Sequence, residues 1–273
     1  MFNKYRLNFL FLLFSIFLVV IFSELFSLQV LDNEENAQQI ENQNFEVFYI
    51  PAARGEIFDI NGNKLATSDL EPYLFLNLRK INDENKNIYA QLLQFNFEDI
   101  TTSEIDEFFK TNDVFTKIIN LSKYNTDIRL GLLDYEAFEV FNLPTRTYPY
   151  KELFSHVIGY VGKPNKDEQN DFPNSMNNEI VGKTGLERYY ENTISGVASE
   201  VIVQNGNIVE IKPSVSGRDI QLVLNTETQN IVKESLQEGI TLANKNFDTI
   251  NLIERGAVVV QKIDTGEIVS MVS

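Results

Sequence analysis

The chain has no cysteine among its 273 residues. That excludes disulfides, thiolate metal sites and cysteine nucleophiles. It has a single histidine, His156, which leaves no partner for a histidine-based metal site. Positive charge is scarce: 23 Lys and Arg stand against 39 Asp and Glu, a formal net charge of −16. Nucleic-acid binding needs clustered Lys and Arg against the phosphates, so the sequence predicts no nucleic-acid partner. Nor should so acidic a chain lie flat on an anionic bilayer. The plain consequence of the acidity is a well-solvated surface. With 43% apolar residues the chain can still bury a sizeable core and is not a disordered protein. Its length suits two domains, or one domain with extensions.

One long apolar run is present. Leu7 to Phe22 is apolar except for Asn8 and Ser15, and Leu25-Phe26-Ser27-Leu28 extends it. Taken to Leu28 it reaches the ~20 residues that cross a bilayer. Signal-peptide cleavage wants small residues after the run, whereas Ser23-Glu24-Leu25-Phe26 is bulky, so a retained anchor is predicted. Lys4 and Arg6 precede the run, which puts the N-terminus in the cytoplasm and residues after 28 outside. Setting aside Lys4, Arg6 and Glu24 leaves 21 basic and 38 acidic residues on that outer part, a net charge of −17.

Beyond a polar connector at 29–44, the pattern predicts a β-rich α+β domain. A strand is expected at Phe45–Ile50. A hairpin follows, Gly55–Ile60 with Lys64–Thr67, around Asn61-Gly62, read as a type I′ turn. Another strand is expected at 73–78 and helix over 84–121, with Ser103 and Asp106 as a capping box. Thr126–Leu133 reads as strand, Asp134–Phe141 as helix, 144–151 as a turn-rich break and Thr184–Asn192 as a short helix. A second hairpin joins 200–204 to 207–211 through Asn205-Gly206, with Val201, Val203, Val209 and Ile211 alternating. A linker at 212–218 leads to a strand at 220–224. A helix starts at Thr226, with Gln229 completing a capping box and Val232, Leu236, Ile240 and Ala243 on one apolar face. Strands at 256–263 and 267–272 close the chain, the first buried on both faces through Ala257–Val260.

Two motifs are decoys. Gly182-Lys183-Thr184 lacks the glycine of a phosphate loop, since Asn177 stands five residues before the Gly-Lys pair. Lys183-Thr184-Gly185 and Ser175-Met176-Asn177 look like two of the three boxes of a serine transpeptidase. The third is missing: no serine is followed three residues later by lysine, and without that activated nucleophile the other two have nothing to act with. Lys183-Thr184-Gly185 also precedes a helix rather than forming a strand. No glycosidase-like carboxylate pair stands out, and Phe108-Phe109 and Tyr189-Tyr190 read as packing residues. The sequence therefore gives no catalytic, cofactor-binding or metal-binding residues. Gly55 and Gly62 are expected where a Cβ would be forbidden, and Arg54 is expected to pair with Glu56 or Asp59 and hold the first hairpin.

A set of spaced motifs resembles the class B penicillin-binding proteins, especially the elongation type. In order these are the apolar anchor ending Leu28-Gln29-Val30; Arg54-Gly55-Glu56-Ile57-Phe58-Asp59-Ile60-Asn61-Gly62 with Leu65-Ala66; Tyr148-Pro149-Tyr150; His156 to Gly162 (HVIGYVG); Gly182 to Glu191 (GKTGLERYYE) with Gly196; Gly217-Arg218-Asp219-Ile220 through Gln229; and Gly256 to Ser273. Ile60 departs from the arginine usual there. The resemblance implies three parts: a cytoplasmic tip and transmembrane anchor at 1–28, an elongated pedestal of the dimerisation type at 29–217, and the first strands and helix of a serine transpeptidase domain at 218–273. It implies a role in peptidoglycan cross-linking and cell-shape maintenance at the bacterial inner membrane, with no cofactor. The expected partners are a membrane-embedded glycan polymerase, scaffold proteins of the elongation complex and, through the catalytic domain, peptidoglycan stem peptides. The family's Ser-x-x-Lys, Ser-x-Asn and Lys-Thr-Gly boxes would all lie beyond Ser273, so the chain itself is expected to anchor and dock rather than acylate. Two rivals are a stand-alone interaction module without activity and an unrelated exported binding protein with a compact pocket.

Overall fold

The structure, a computed structural model, describes residues 13–23, 45–172, 178–246 and 252–273. It divides into two units, residues 1–46 and 47–273. In the first unit, residues 13–23 form an exposed helix, α1. No helix among the described residues is long and apolar enough to cross a membrane. Most of the segment expected at 1–28, the connector at 29–44 and Ser175-Met176-Asn177 lie outside the described residues.

The rest is mixed α and β. The strands are β1 (Phe45–Ile50), β2 (Ile57–Phe58), β3 (Lys64–Asn77), β4 (Phe115–Asn120), β5 (Phe138–Thr147), β6 (Val161–Gly162), β7 (Val181–Gly182), β8 (Ser199–Gln204), β9 (Asn207–Lys212), β10 (Ile220–Gln221), β11 (Val258–Gln261) and β12 (Ile268–Val272). The further helices are α2 (Lys86–Asn96), α3 (Thr102–Phe108), α4 (Thr126–Leu133), α5 (Ser155–Ile158), α6 (Lys166–Asp171), α7 (Gly185–Tyr189), α8 (Glu191–Ile194) and α9 (Thr226–Asn246). Strand β3 organises the main sheet, of order β10-β2-β3-β4 with β5 also paired to β3. A three-stranded sheet runs β1-β8-β9, and β6-β7 and β11-β12 are separate hairpins.

Three apolar clusters hold this unit. Helices α2 to α4 cover β3 through Leu74, Leu76, Tyr89, Leu93, Phe97, Ile105, Leu132 and Phe138. Phe75, Phe115, Leu143, Val201 and Val203 lie between the two larger sheets. There Phe48 meets Phe75 and Phe115 edge-on, with ring centroids 5.5 and 5.1 Å apart, the orientation that ring quadrupoles favour. The third cluster joins Ile57, Leu65 and Ala66 to Phe154, Ile158 and Leu224.

Several local expectations are corrected. The helix expected over 84–121 is two helices followed by strand β4, and its capping box is Thr101 with Glu104 rather than Ser103 with Asp106. The expected strand 126–133 is helix α4, capped by Asn125. The expected helix 134–141 gives way to β5, which runs on through the supposed break and pairs along β3 to Thr67↔Thr147. Pro144 is tolerated because β5 is paired only to β3 among the described strands. Asn61-Gly62 is not type I′: only Gly62 has positive φ. Asn205-Gly206 is, with φ of 50° and 79°, the twist a two-residue hairpin needs. In that hairpin Val201 and Val203 are buried, but Val209 and Ile211 are more than half exposed at the sheet edge. Strand β11 alternates between half-buried and exposed residues instead of being buried on both faces, because β12 is its one neighbour among the described strands.

Candidate functional site

Two arginines and two glutamates meet in the interior. Arg54 lies just before β2, Arg146 near the end of β5, and Glu187 and Glu191 sit four apart on α7 and α8. That spacing turns both carboxylates to one side. Nη2 of Arg54 donates to Glu187 Oε2 and Glu191 Oε2, both at 2.8 Å. Its Nε and Nη1 add bonds to the same two residues at 3.1 and 3.2 Å. Nε of Arg146 donates to Glu187 Oε1 at 2.8 Å, and its Nη1 to the carbonyl of Gly55 at 2.8 Å. The four side chains are at most 2% exposed. The cluster is neutral overall, and nearly every donor and acceptor is used, the condition under which buried ions are tolerated.

The same charges perturb neighbouring groups. Burial, then the charge of Glu187, raises the Tyr148 hydroxyl well above the usual tyrosine range, and that hydroxyl donates to Glu187 Oε1 at 3.3 Å. Burial opposes the Arg54 charge, but its hydrogen bonds to Glu191 and the two carboxylate charges outweigh it and raise its pKa. The expected pairing of Arg54 with Glu56 or Asp59 is therefore corrected. Glu56 pairs with Lys64 at 2.7 Å, and Arg54 reaches 133 and 137 residues along the chain.

Beside the cluster, three backbone segments cross where side chains would not fit. A Cβ on Gly55 would lie 1.9 Å from the carbonyl oxygen of Arg218, and one on Gly217 1.9 Å from that of Ile194. Gly55 N donates to Ile194 O, and Gly217 N to Ala53 O. Residues 217–221 are thereby fastened to the start of the domain, and β10 runs parallel to β2.

Asp59 makes the next fastening. It is fully buried and accepts from Asn61 N and Asn63 N at 2.8 Å and from Asn63 Nδ2 at 2.9 Å. It also accepts from Thr226 N and Oγ1 at 3.1 and 2.7 Å, so it holds the first turn of α9. Burial opposes its charge, but the bonds from Asn63 and Thr226 bring its pKa down to about 2. Gln229 is not a capping-box partner. Its Oε1 accepts from Ser270 Oγ and Met271 N, and its Nε2 donates to Leu153 O, tying β12 to the segment before α5. His156 Nε2 lies 3.0 Å from Met271 O in the same junction.

Lys183-Thr184-Gly185 leads into a helix, as expected. Gly185 opens α7 and Lys183 pairs with Glu168. Among the described residues no group of His, Asp and Glu could hold a metal ion. The sequence reading missed Glu187 and Glu191 as partners of Arg54. The signal was two glutamates four apart beside apolar and aromatic residues, with arginines elsewhere to balance them.

Residues 49–222 match the family described as the penicillin-binding protein dimerisation domain. The chain is 29% identical over 273 residues to the peptidoglycan D,D-transpeptidase MrdA of Acinetobacter baumannii, covering 94% of this chain and 38% of that protein. It is 29% identical over 274 residues to MrdA of Escherichia coli K12, covering 93% and 40%. In fold it is similar to the penicillin-binding protein PBP2 in its complex with MreC from Helicobacter pylori. That match has a TM-score of 0.65 and 22% identity, over 85% of this chain and 43% of the other. The chain thus spans about two fifths of the length of the relatives it matches. With the family matched from residue 49 to 222 and the buried Arg54, Glu187 and Glu191 joining its two ends, the chain belongs to the penicillin-binding protein dimerisation domain family.

Proposed function

We propose that the chain is the pedestal part of an elongation-type peptidoglycan D,D-transpeptidase, and that it positions a catalytic domain beginning near residue 218 without itself supplying the acylating serine. The observation that carries this is the fastening of residues 217–229. Strand β10 is added to β2, Asp59 holds Thr226, and Gln229 binds both Leu153 and Met271. A segment held at so many points transmits position and does not swing freely. The MrdA relatives support the reaction class. On this reading the three parts are 1–28, 29–217 and 218–273, and the acylating serine follows Ser273.

On the same reading residues 1–28 form a single membrane pass with the N-terminus in the cytoplasm, at the bacterial inner membrane. The apolar run from Leu7 supports this. The pedestal would dock scaffold proteins, as the MreC complex of the structural relative suggests, and a membrane-embedded glycan polymerase. Stem peptides would be met through the catalytic domain.

Fluorescent-penicillin labelling on a denaturing gel tests the reading, with this chain run beside the product of a reading frame that continues past Ser273. Labelling of the longer product alone is expected. Labelling of the chain itself, or of neither product, overturns it.

A further inference from the structure

Strand β12 has one neighbouring strand, β11, among the described residues. Val258↔Val272, Val259↔Met271 and Val260↔Ser270 stand opposite each other. Along an antiparallel pair the N–H and C=O groups face alternately toward the partner and away from it. Both groups of Met271 are turned away from β11 and are met by the start of α9. Gln229 Oε1 accepts from Met271 N at 2.9 Å, and its Nε2 donates to Met271 O. His156 Nε2 lies 3.0 Å from the same carbonyl; a carbonyl only accepts, so this nitrogen donates. Val269 is the extra residue where the ladder shifts, since Val260 is opposite Ser270 and Gln261 opposite Ile268. It is held too, by Asn225 N donating to its carbonyl at 2.9 Å.

Gln229 is fully buried. A carboxamide has two donor hydrogens and two acceptor lone pairs. All four are used: Nε2 donates to Leu153 O and Met271 O, and Oε1 accepts from Ser270 Oγ and Met271 N. The amide therefore stands beside Met271 as a neighbouring strand residue would, exchanging both bonds with it. Its other donor is fixed on Leu153, in the apolar cluster that also contains Ile57 and Leu65. Asp59 holds α9 only at Thr226, whereas Gln229 reaches across to β12. What such a grip controls is register. A slip by one residue turns every side chain of β12 to the opposite face, and it sets Gln229 against groups that face β11.

We infer that Gln229 is the positioning residue through which the pedestal acts on the reaction: it fixes the register of β11–β12 against Leu153, and with it the placement of the catalytic chain that follows the hairpin. This rests on the transpeptidase reading above. It goes further by assigning the coupling to one side chain, and it requires acylation and stability to separate there.

Gln229→Met keeps the length of the side chain and removes its hydrogen bonds. Hydrogen exchange of this chain is the first readout. At residues 258–261, whose own ladder partners the substitution leaves in place, exchange should be about tenfold faster than in the wild type, the effect of one or two lost hydrogen bonds. Residues 74–76 of β3 should exchange as before. The second readout is the rate of acylation by fluorescent penicillin in the product of a reading frame that continues past Ser273. That rate should fall on the order of 100-fold, the effect of a misplacement of about 1 Å. Leu93→Ala, a destabilising change in the apolar region, should leave it within about twofold, as expected for independent sites. Unchanged exchange at 258–261 overturns the inference. Faster exchange with a wild-type acylation rate also overturns it, since Gln229 then only supports the fold, and so does an equal loss of acylation in Leu93→Ala. If the wild-type longer product does not label, the transpeptidase reading falls and the inference falls with it; the wild-type lane alone tells these failures apart. Should Gln229→Met not fold, His156→Ala, at an exposed position, removes the other donor to Met271 O. It should speed exchange at 258–261 and slow acylation about fivefold each, the worth of one ordinary hydrogen bond, and no change in either overturns the inference.

Discussion

Two regions of this domain are held together by opposite means. Between about residues 69 and 143, helices α2 to α4 lie on β3 through an apolar and aromatic cluster. Of the buried polar side chains, only Asn77 falls in that stretch. Around residues 54–59, 182–196 and 217–229 the interior contains Arg54, Asp59, Glu187, Glu191 and Gln229 instead, together with backbones in contact at Gly55 and Gly217. The first region is stabilised by area removed from water, which depends little on direction. The second depends on paired charges and on separations that one Cβ would violate. Burial of area tolerates change of shape, whereas the ionic crossing tolerates neither loss of a partner nor added volume. The crossing is also where the chain passes toward residues 218–273, so its rigidity falls where the proposed function requires position to be transmitted.

The sharpest way to break this comparison is to remove one carboxylate. Glu187→Ala leaves Arg54 and Arg146 short of a counter-charge in the interior, and loss of one partner of a buried pair costs about 3–5 kcal/mol. Urea denaturation of the variant should show a correspondingly lower midpoint. A loss under 1 kcal/mol would mean that water reaches the cluster. In the apolar region Leu93, fully buried on α2, should behave differently. Leu93→Ala costs about 2–5 kcal/mol through the cavity it leaves, yet Leu93→Met costs less than about 1.5 kcal/mol. No comparably mild exchange exists for Glu187. Were Leu93→Met as damaging as Leu93→Ala, the first region would be as shape-specific as the second.

The two regions were also unequally legible in sequence. The hairpin at Asn205-Gly206 was readable because its turn chemistry is local. The crossing was visible only as spaced motifs, Arg-Gly-x-Ile and Gly-Leu-Glu, whose partners lie more than 130 residues apart. Local reasoning therefore paired Arg54 with the nearest acids. In the apolar region the failure was one of period. Thr126–Leu133 reads as strand but folds as α4, and Asp134–Phe141 reads as helix but gives way to β5, because helix and strand patterns overlap in segments this short. Asn125 as a helix cap and the long partner strand β3 decide the matter in the fold.

Glycine substitutions sharpen the comparison at smaller scale, because they should change sign between the regions. Gly55→Ala drives a Cβ into the Arg218 carbonyl, and overpacking of this kind costs about 1–3 kcal/mol. Gly131 lies within α4 with nothing near its Cβ position. Gly131→Ala should stabilise by up to about 1 kcal/mol through helix propensity. Thermal melts of the two variants should move in opposite directions. A shared sign would show that the crossing yields more easily than its contacts suggest.

The smallest expected effect concerns acid. Asp59 has its folded pKa lowered to about 2 by Asn63 and Thr226 against the opposing effect of burial, while an unfolded aspartate titrates near ~3.9. A lowered folded pKa means that the unfolded chain binds the proton more readily. The contribution of Asp59 is therefore fully present above about pH 4 and is lost as the pH falls toward about 2. Glu56 and Glu168 are lowered as well, through hydrogen bonds from Lys64 and Lys183, so the wild type loses stability in acid for several reasons at once. Asp59→Asn isolates one of them. The variant should be less stable at neutral pH, since an amide cannot accept from all of the groups that converge on this carboxylate. Its stability should also fall less steeply than that of the wild type between pH 4 and 2, with the Glu56 and Glu168 contributions unchanged. Parallel slopes in that window would mean that Asp59 titrates normally. The hold on Thr226 would then come from hydrogen-bond geometry alone, and the contrast between a charge-built crossing and an area-built neighbour would end at Glu191.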